Sequence, residues 1–102
     1  MRAWVRLGVN CKTCGDRVVV FELLDDPEGA NPALVFDLLH AALAREAEEV
    51  TSRPGRGYTY VHHCDRCGRS LQVSSETALA ELVSAWNDTE RTGAPSSRRL
   101  NA

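Results

Sequence analysis

Cys11-Lys12-Thr13-Cys14-Gly15 and Cys64-Asp65-Arg66-Cys67-Gly68 hold all four cysteines of this 102-residue chain, and their shared CxxCG pattern decides the fold. A two-residue gap lets both sulfurs of a CxxC reach one ion, and a tetrahedral zinc site takes four such ligands at about 2.3 Å. Cys11, Cys14, Cys64 and Cys67 are therefore expected to hold one structural Zn2+. The glycine after each second cysteine suits the sharp turn of a metal knuckle, where a positive φ costs glycine least. A redox dithiol needs only one CxxC and leaves the second copy without a purpose. Disulfides belong to oxidising compartments, whereas Met1-Arg2-Ala3-Trp4-Val5-Arg6 has no long apolar run of the kind that directs secretion. Reduced cysteines and a cytoplasmic, bacterial location are expected. Iron in a rubredoxin-like site uses the same donors, and zinc is preferred because no other feature of the chain points to redox work. Four thiolates fill the coordination sphere, so the metal is expected to be structural.

Working outward, the β-prone runs Trp4 to Val9 and Val18 to Leu24 flank the first knuckle, and Tyr58 to His63 and Leu71 to Val73 flank the second. Two knuckle hairpins meeting at one ion make an α+β zinc ribbon, expected here as one antiparallel sheet within a single domain over 1–90. Between the hairpins, turn residues at 25–29, an N-cap at Asn31 and Pro32 at the first helical position predict a helical insert over 32–50. Leu34, Val35, Leu38, Leu39, Ala42, Leu43 and Val50 recur in steps of three and four around roughly half of that helix. So wide a stripe either lies across the ribbon or is shared with a second copy in a homodimer. A C-terminal helix is expected from Ser74-Ser75, with Leu79, Leu82, Val83 and Trp86 as its apolar stripe and Trp86 as a core anchor. The polar stretch 91–102 reads as a flexible tail.

Charge is divided along the chain. Residues 1–20 and 53–69 each carry a net charge of +3, whereas 21–49 carry −7. The basic halves nominate Arg17, Arg66 and Arg69 beside the knuckles, with Arg56 on the glycine loop, as contacts to nucleic acid phosphates or to a partner. The acidic insert nominates a basic protein partner instead, and an overall charge of −2 speaks against strong nonspecific binding of nucleic acid. No glycine-rich phosphate loop or serine, histidine and carboxylate arrangement is present, so no catalytic residue is expected. His62 and His63 precede Cys64 and read as strand residues. No stretch suggests a membrane partner.

The order of CxxCG, strand, second CxxCG and a helix ending in Ala85-Trp86-Asn87 resembles the restriction alleviation (Lar-like) zinc ribbons of phages and prophages, over about 1–24 and 58–88. Lys12 stands where that family usually has proline, and the helix over 32–50 is an addition to its usual plan. The resemblance implies a small anti-restriction protein without catalytic residues, acting on a host protein such as a restriction-modification subunit. The alternative is a nucleic-acid-binding ribbon in transcription or DNA metabolism.

Overall fold

Each CxxCG sequence folds as a tight turn because the backbone closes on itself before the glycine. Gly15 N–H donates to the Cys11 oxygen at 2.8 Å, and Gly68 N–H to the Cys64 oxygen at 2.7 Å. The glycines then take left-handed φ values of 77° and 76°, which an L-residue with a Cβ adopts only at a cost. A second bond shuts each knuckle, from Cys11 N–H to the Asp16 oxygen at 2.8 Å and from Cys64 N–H to the Arg69 oxygen at 2.9 Å.

A computed structural model describes residues 3–24 and 32–102. The expected turn over 25–29 and the N-cap at Asn31 lie outside the described residues. The elements run β1 (Ala3–Asn10), β2 (Arg17–Leu24), α1 (Pro32–Arg45), β3 (Glu49–Arg53), β4 (Gly57–His63), β5 (Ser70–Ser74), α2 (Ser75–Thr92) and β6 (Ser96–Asn101). Each knuckle joins an antiparallel hairpin, β1–β2 in the first and β4–β5 in the second. The chain is a mixed α+β protein with two small sheets, not the single antiparallel sheet expected from the sequence. One sheet has the order β2-β1-β6 and the other β3-β4-β5.

The two sheets are built on one plan, hairpin, helix, strand, used twice. The strand after each helix joins the sheet of the other hairpin. β3 follows α1 and pairs antiparallel with β4, from Glu49↔Val61 to Arg53↔Gly57. β6 follows α2 and pairs parallel with β1, from Val5↔Ser96 to Asn10↔Asn101.

Two sequence expectations change as a result. The helical insert ends at Arg45 rather than 50, because 49–53 gain a ladder with β4 that outweighs local helix preference, and Val50 and Thr51 suit a strand. The stretch 91–102, expected as a flexible tail, carries secondary structure: α2 runs to Thr92, Gly93 caps it at φ 73°, and β6 follows. Thr89 Oγ1 donates to Ser96 Oγ at 2.9 Å, and Arg98 pairs with Asp88 and, at 3.9 Å, with Glu81.

The core lies between the sheets and the helices. Strand alternation buries Val5, Leu7 and Val9 of β1, Val19, Phe21 and Leu23 of β2, Tyr60 of β4 and Val73 of β5. α1 adds Val35, Leu39 and Leu43, each stabilising the fold by roughly 1.5–3 kcal/mol through burial. Tyr60 and His40 tie α1 to β4, with the Tyr60 hydroxyl 2.6 Å from His40 Nδ1. Burial, and secondarily Tyr58, pushes the Tyr60 phenol above its ordinary value, so the hydroxyl keeps its proton. His62 is fully buried and donates from Nε2 to the Leu43 oxygen at 2.8 Å, satisfying a carbonyl in the last turn of α1.

α2 starts at the N-cap Ser74, whose hydroxyl accepts from Thr77 N–H at 3.1 Å, and Glu76 in its first turn complements the helix dipole. Its buried face is Ala78, Leu82, Ala85 and Thr89. That face is rotated from the expected stripe, because two alanines let the helix lie close to the sheets. Trp86 packs half-buried against the core, and its indole N–H donates to Glu90 Oε1 at 2.9 Å.

Candidate metal centre

The two knuckle hairpins converge at their tips, and the four sulfurs come together there. Sγ of Cys11 lies 3.6 Å from Sγ of Cys67, and Sγ of Cys14 lies 3.5 Å from Sγ of Cys64. All four lie within 4.8 Å of one another. Each close pair crosses from one hairpin to the other, so the cluster joins the two sheets. The spacing is far longer than the ~2.05 Å of a disulfide. It suits four donors around one ion, for which bonds of about 2.3 Å place neighbouring sulfurs about 3.8 Å apart. Cys11 and Cys64 are buried with Leu71 in a small cluster of their own, Cys14 is half-buried and Cys67 is exposed. The arrangement fits a single metal-ion site, and its donors are the residues that the CxxCG spacing nominated.

The electrostatics match that chemistry. The backbone N–H of Cys14 favours the Cys11 thiolate and, despite burial, lowers its pKa to about 6. The Asp16 N–H likewise favours a thiolate at Cys14, but burial and the sulfurs of Cys64, Cys11 and Cys67 outweigh it, and the thiol is pushed up to about 12. At Cys67 the Arg69 N–H favours the thiolate, and burial with the Cys11 and Cys64 sulfurs again raises the pKa. Crowded sulfurs resist ionising together without a cation among them, and a divalent ion removes that resistance.

The candidate contact arginines do not form one surface. Arg17 and Arg66 are exposed beside the knuckles. Arg56 is exposed in the β3–β4 turn, at the opposite end of the seven-residue strand β4 from Cys64, roughly 26 Å away at 3.3 Å per residue. Arg69 is half-buried and turned inward, with Nη1 donating to the backbone oxygen of Ala102 at 2.7 Å and lying 4.0 Å from Cys11 Sγ. Next to the first knuckle, Arg17 shares a cavity wall with Asp16, Glu46, Glu48, His63 and Asp65, a mainly acidic setting. His63 is exposed and lies 3.7 Å from Glu48. Neither His62 nor His63 belongs to the sulfur cluster.

A second feature was hidden in the sequence. Val35 of α1 and Leu79, Leu82, Val83 and Trp86 of α2 line an apolar groove of about 290 Å³, with Asn87 and Glu90 at its rim. Val83 in its wall is 48% exposed, and Leu34 and Leu38 elsewhere on α1 are 45% and 46% exposed. The sequence signal was the width of the α1 stripe, which exceeds what the sheets cover. Among the described residues, no helix is long and apolar enough to cross a membrane.

No protein-family model, curated protein or solved structure matches the chain.

Proposed function

We propose that this chain is a non-enzymatic zinc-ribbon protein that works by binding another protein. Four thiolates suit zinc, which takes tetrahedral sulfur sites without redox demands, and they leave no coordination position for water or substrate. The observation that carries the reading is the groove between α1 and α2. Its wall is almost wholly apolar and Val83 within it is nearly half exposed, and such patches mark interaction sites. Glu90 lies on its rim, Glu76 stands one turn before Leu79, and no lining residue is basic. The partner is therefore a segment carrying apolar side chains flanked by lysine or arginine, in the helix-in-groove manner. A second copy of this chain is the poorer occupant, because a twofold contact sets the acidic rim against itself.

Within that class, the resemblance to restriction alleviation proteins makes a host restriction-modification subunit the narrower proposal. The nucleic-acid alternative is weakened by the dispersal of Arg17, Arg56, Arg66 and Arg69. The test is capture of host proteins by the metal-loaded protein, with nuclease treatment and at raised salt, beside Val83→Lys. A protein partner that survives nuclease and is lost in Val83→Lys supports the reading. Recovery only of nucleic acid that salt removes, or a dimer that occupies the groove, overturns it.

A further inference from the structure

Arg69 sits where three parts of the molecule meet. It follows Gly68 in the second knuckle, and its Nη1 reaches the backbone oxygen of Ala102, at the end of β6, and the sulfur of Cys11 in the first knuckle. The same Ala102 oxygen accepts from Lys12 N–H at 3.0 Å, inside the first knuckle, and Ala102 N–H donates to the Asn10 oxygen at 3.0 Å. The end of β6 is thus gripped by both knuckles at once, and the knuckles are joined to each other at the sulfur cluster.

We infer that metal occupancy and the docking of β6 on β1 form one linked equilibrium, with Arg69 as the positioning residue that joins them. Two physical reasons support the link. A divalent ion held by four thiolates carries a net charge of about −2, and the Arg69 guanidinium beside Cys11 offsets part of it. Holding the knuckles together also places Lys12 N–H and Arg69 on a single oxygen, so releasing the ion frees both anchors from their mutual register. β6 needs these anchors. Its residues alternate between half-buried and exposed, and none is fully buried. Its other side-chain ties are few: Leu100 packs half-buried against the core, and polar contacts run to Thr89, Asp88 and Glu81. Linkage is reciprocal, so β6 docking tightens the metal by the factor with which the metal favours docking.

The test uses the full chain loaded with Zn2+. Amide hydrogen exchange is followed in β6, with the buried core of α2 as internal reference, and metal affinity is measured by competition with a chromophoric chelator. Arg69→Gln keeps a hydrogen-bond donor and removes the charge, whereas Arg69→Lys keeps the charge. With one Zn2+ per chain retained, Arg69→Gln is expected to lower β6 protection and weaken metal affinity together, each by about tenfold, within the range usual for coupled sites. Arg69→Lys is expected to restore part of both, and α2 protection to stay unchanged. If β6 loosens in Arg69→Gln while metal affinity holds, or affinity falls while β6 stays protected, the linkage is wrong. A wild-type chain that takes up no Zn2+ overturns it and the metal reading as well, whereas a chain that binds Zn2+ but no protein partner leaves only the proposed function refuted.

Discussion

Gly57→Ala should be among the most damaging single substitutions outside the metal centre. Gly57 opens β4 with φ 78°, and a Cβ built there overlaps Oγ of Ser75, the first residue of α2. That hydroxyl is buried and accepts Tyr58 N–H at 2.9 Å. The left-handed backbone costs an L-residue roughly 1–2 kcal/mol. Rotating the serine hydroxyl away removes the acceptor of Tyr58 N–H, at a cost of roughly 1–3 kcal/mol for a stranded donor. The total is about 2–5 kcal/mol, a large fraction of the ~5–15 kcal/mol that holds a typical domain together. Gly55 supplies the control, since its φ is 74° and a Cβ there meets nothing within 4 Å. Gly55→Ala should lose only the backbone component. Urea unfolding of the metal-loaded protein measures both, with Ser75→Ala and the Gly57→Ala/Ser75→Ala pair completing a double-mutant cycle. The two substitutions should be strongly non-additive, because the first already sacrifices the bond that the second deletes. A Gly57→Ala loss within about 0.5 kcal/mol of Gly55→Ala, or an additive cycle, would refute the reasoning.

Two further outcomes follow from titrating groups. Because Cys14 is pushed up to about 12 and Cys67 is raised as well, both are protonated thiols near neutral pH, whereas Cys11 at about 6 is largely thiolate. Zinc uptake should then expel at least the protons of Cys14 and Cys67, so affinity climbs by at least about hundredfold per pH unit around neutrality and more steeply below the Cys11 value. Calorimetry in buffers of different ionisation enthalpy counts those protons, and one or fewer contradicts the expectation. Asp88 accepts from Arg91 at 2.8 Å and pairs with Arg98, which together hold its carboxyl below the ordinary value. Its contribution to stability is present above the unfolded carboxylate value and is lost as pH falls through the depressed folded one. The stability gap between wild type and Asp88→Asn should hold from neutral pH down to the carboxylate range and close below it; a gap that closes well above that range argues against the pair.

The knuckles, the four sulfur donors, the two hairpins and both helices were legible in the sequence, because each rests on local spacing or period. The third strand of each sheet was not. Glu49-Val50-Thr51-Ser52-Arg53 continues an Ala- and Glu-rich helical run, and Ser96-Ser97-Arg98-Arg99-Leu100-Asn101 offers one large apolar residue. β6 becomes a strand because a distant edge, on β1, pairs with it, and no local pattern encodes which edges meet; β3 pairs with β4 across the three-residue turn Pro54-Gly55-Arg56, a hairpin masked by the helix-prone run before it. The α2 face was misplaced for a related reason: Ala78 and Ala85 carry little hydrophobic signal, yet their small size is what allows close packing on the sheets. Arg66 and Arg69 look alike in sequence, and only the position of Ala102 separates an exposed cation from an inward-facing one.

The exchange of third strands also sets an order on biosynthesis. β1 leaves the ribosome first among the described strands, but its parallel neighbour β6 lies about 90 residues later. Every element between them, including the second knuckle, is made before that edge can be covered. Contacts of such sequence separation form slowly, since a long loop must close before it is rewarded. The nascent first hairpin therefore waits with the outer edge of Val5 to Asn10 bare, and sulfur capture by Cys67 becomes possible before sheet closure does.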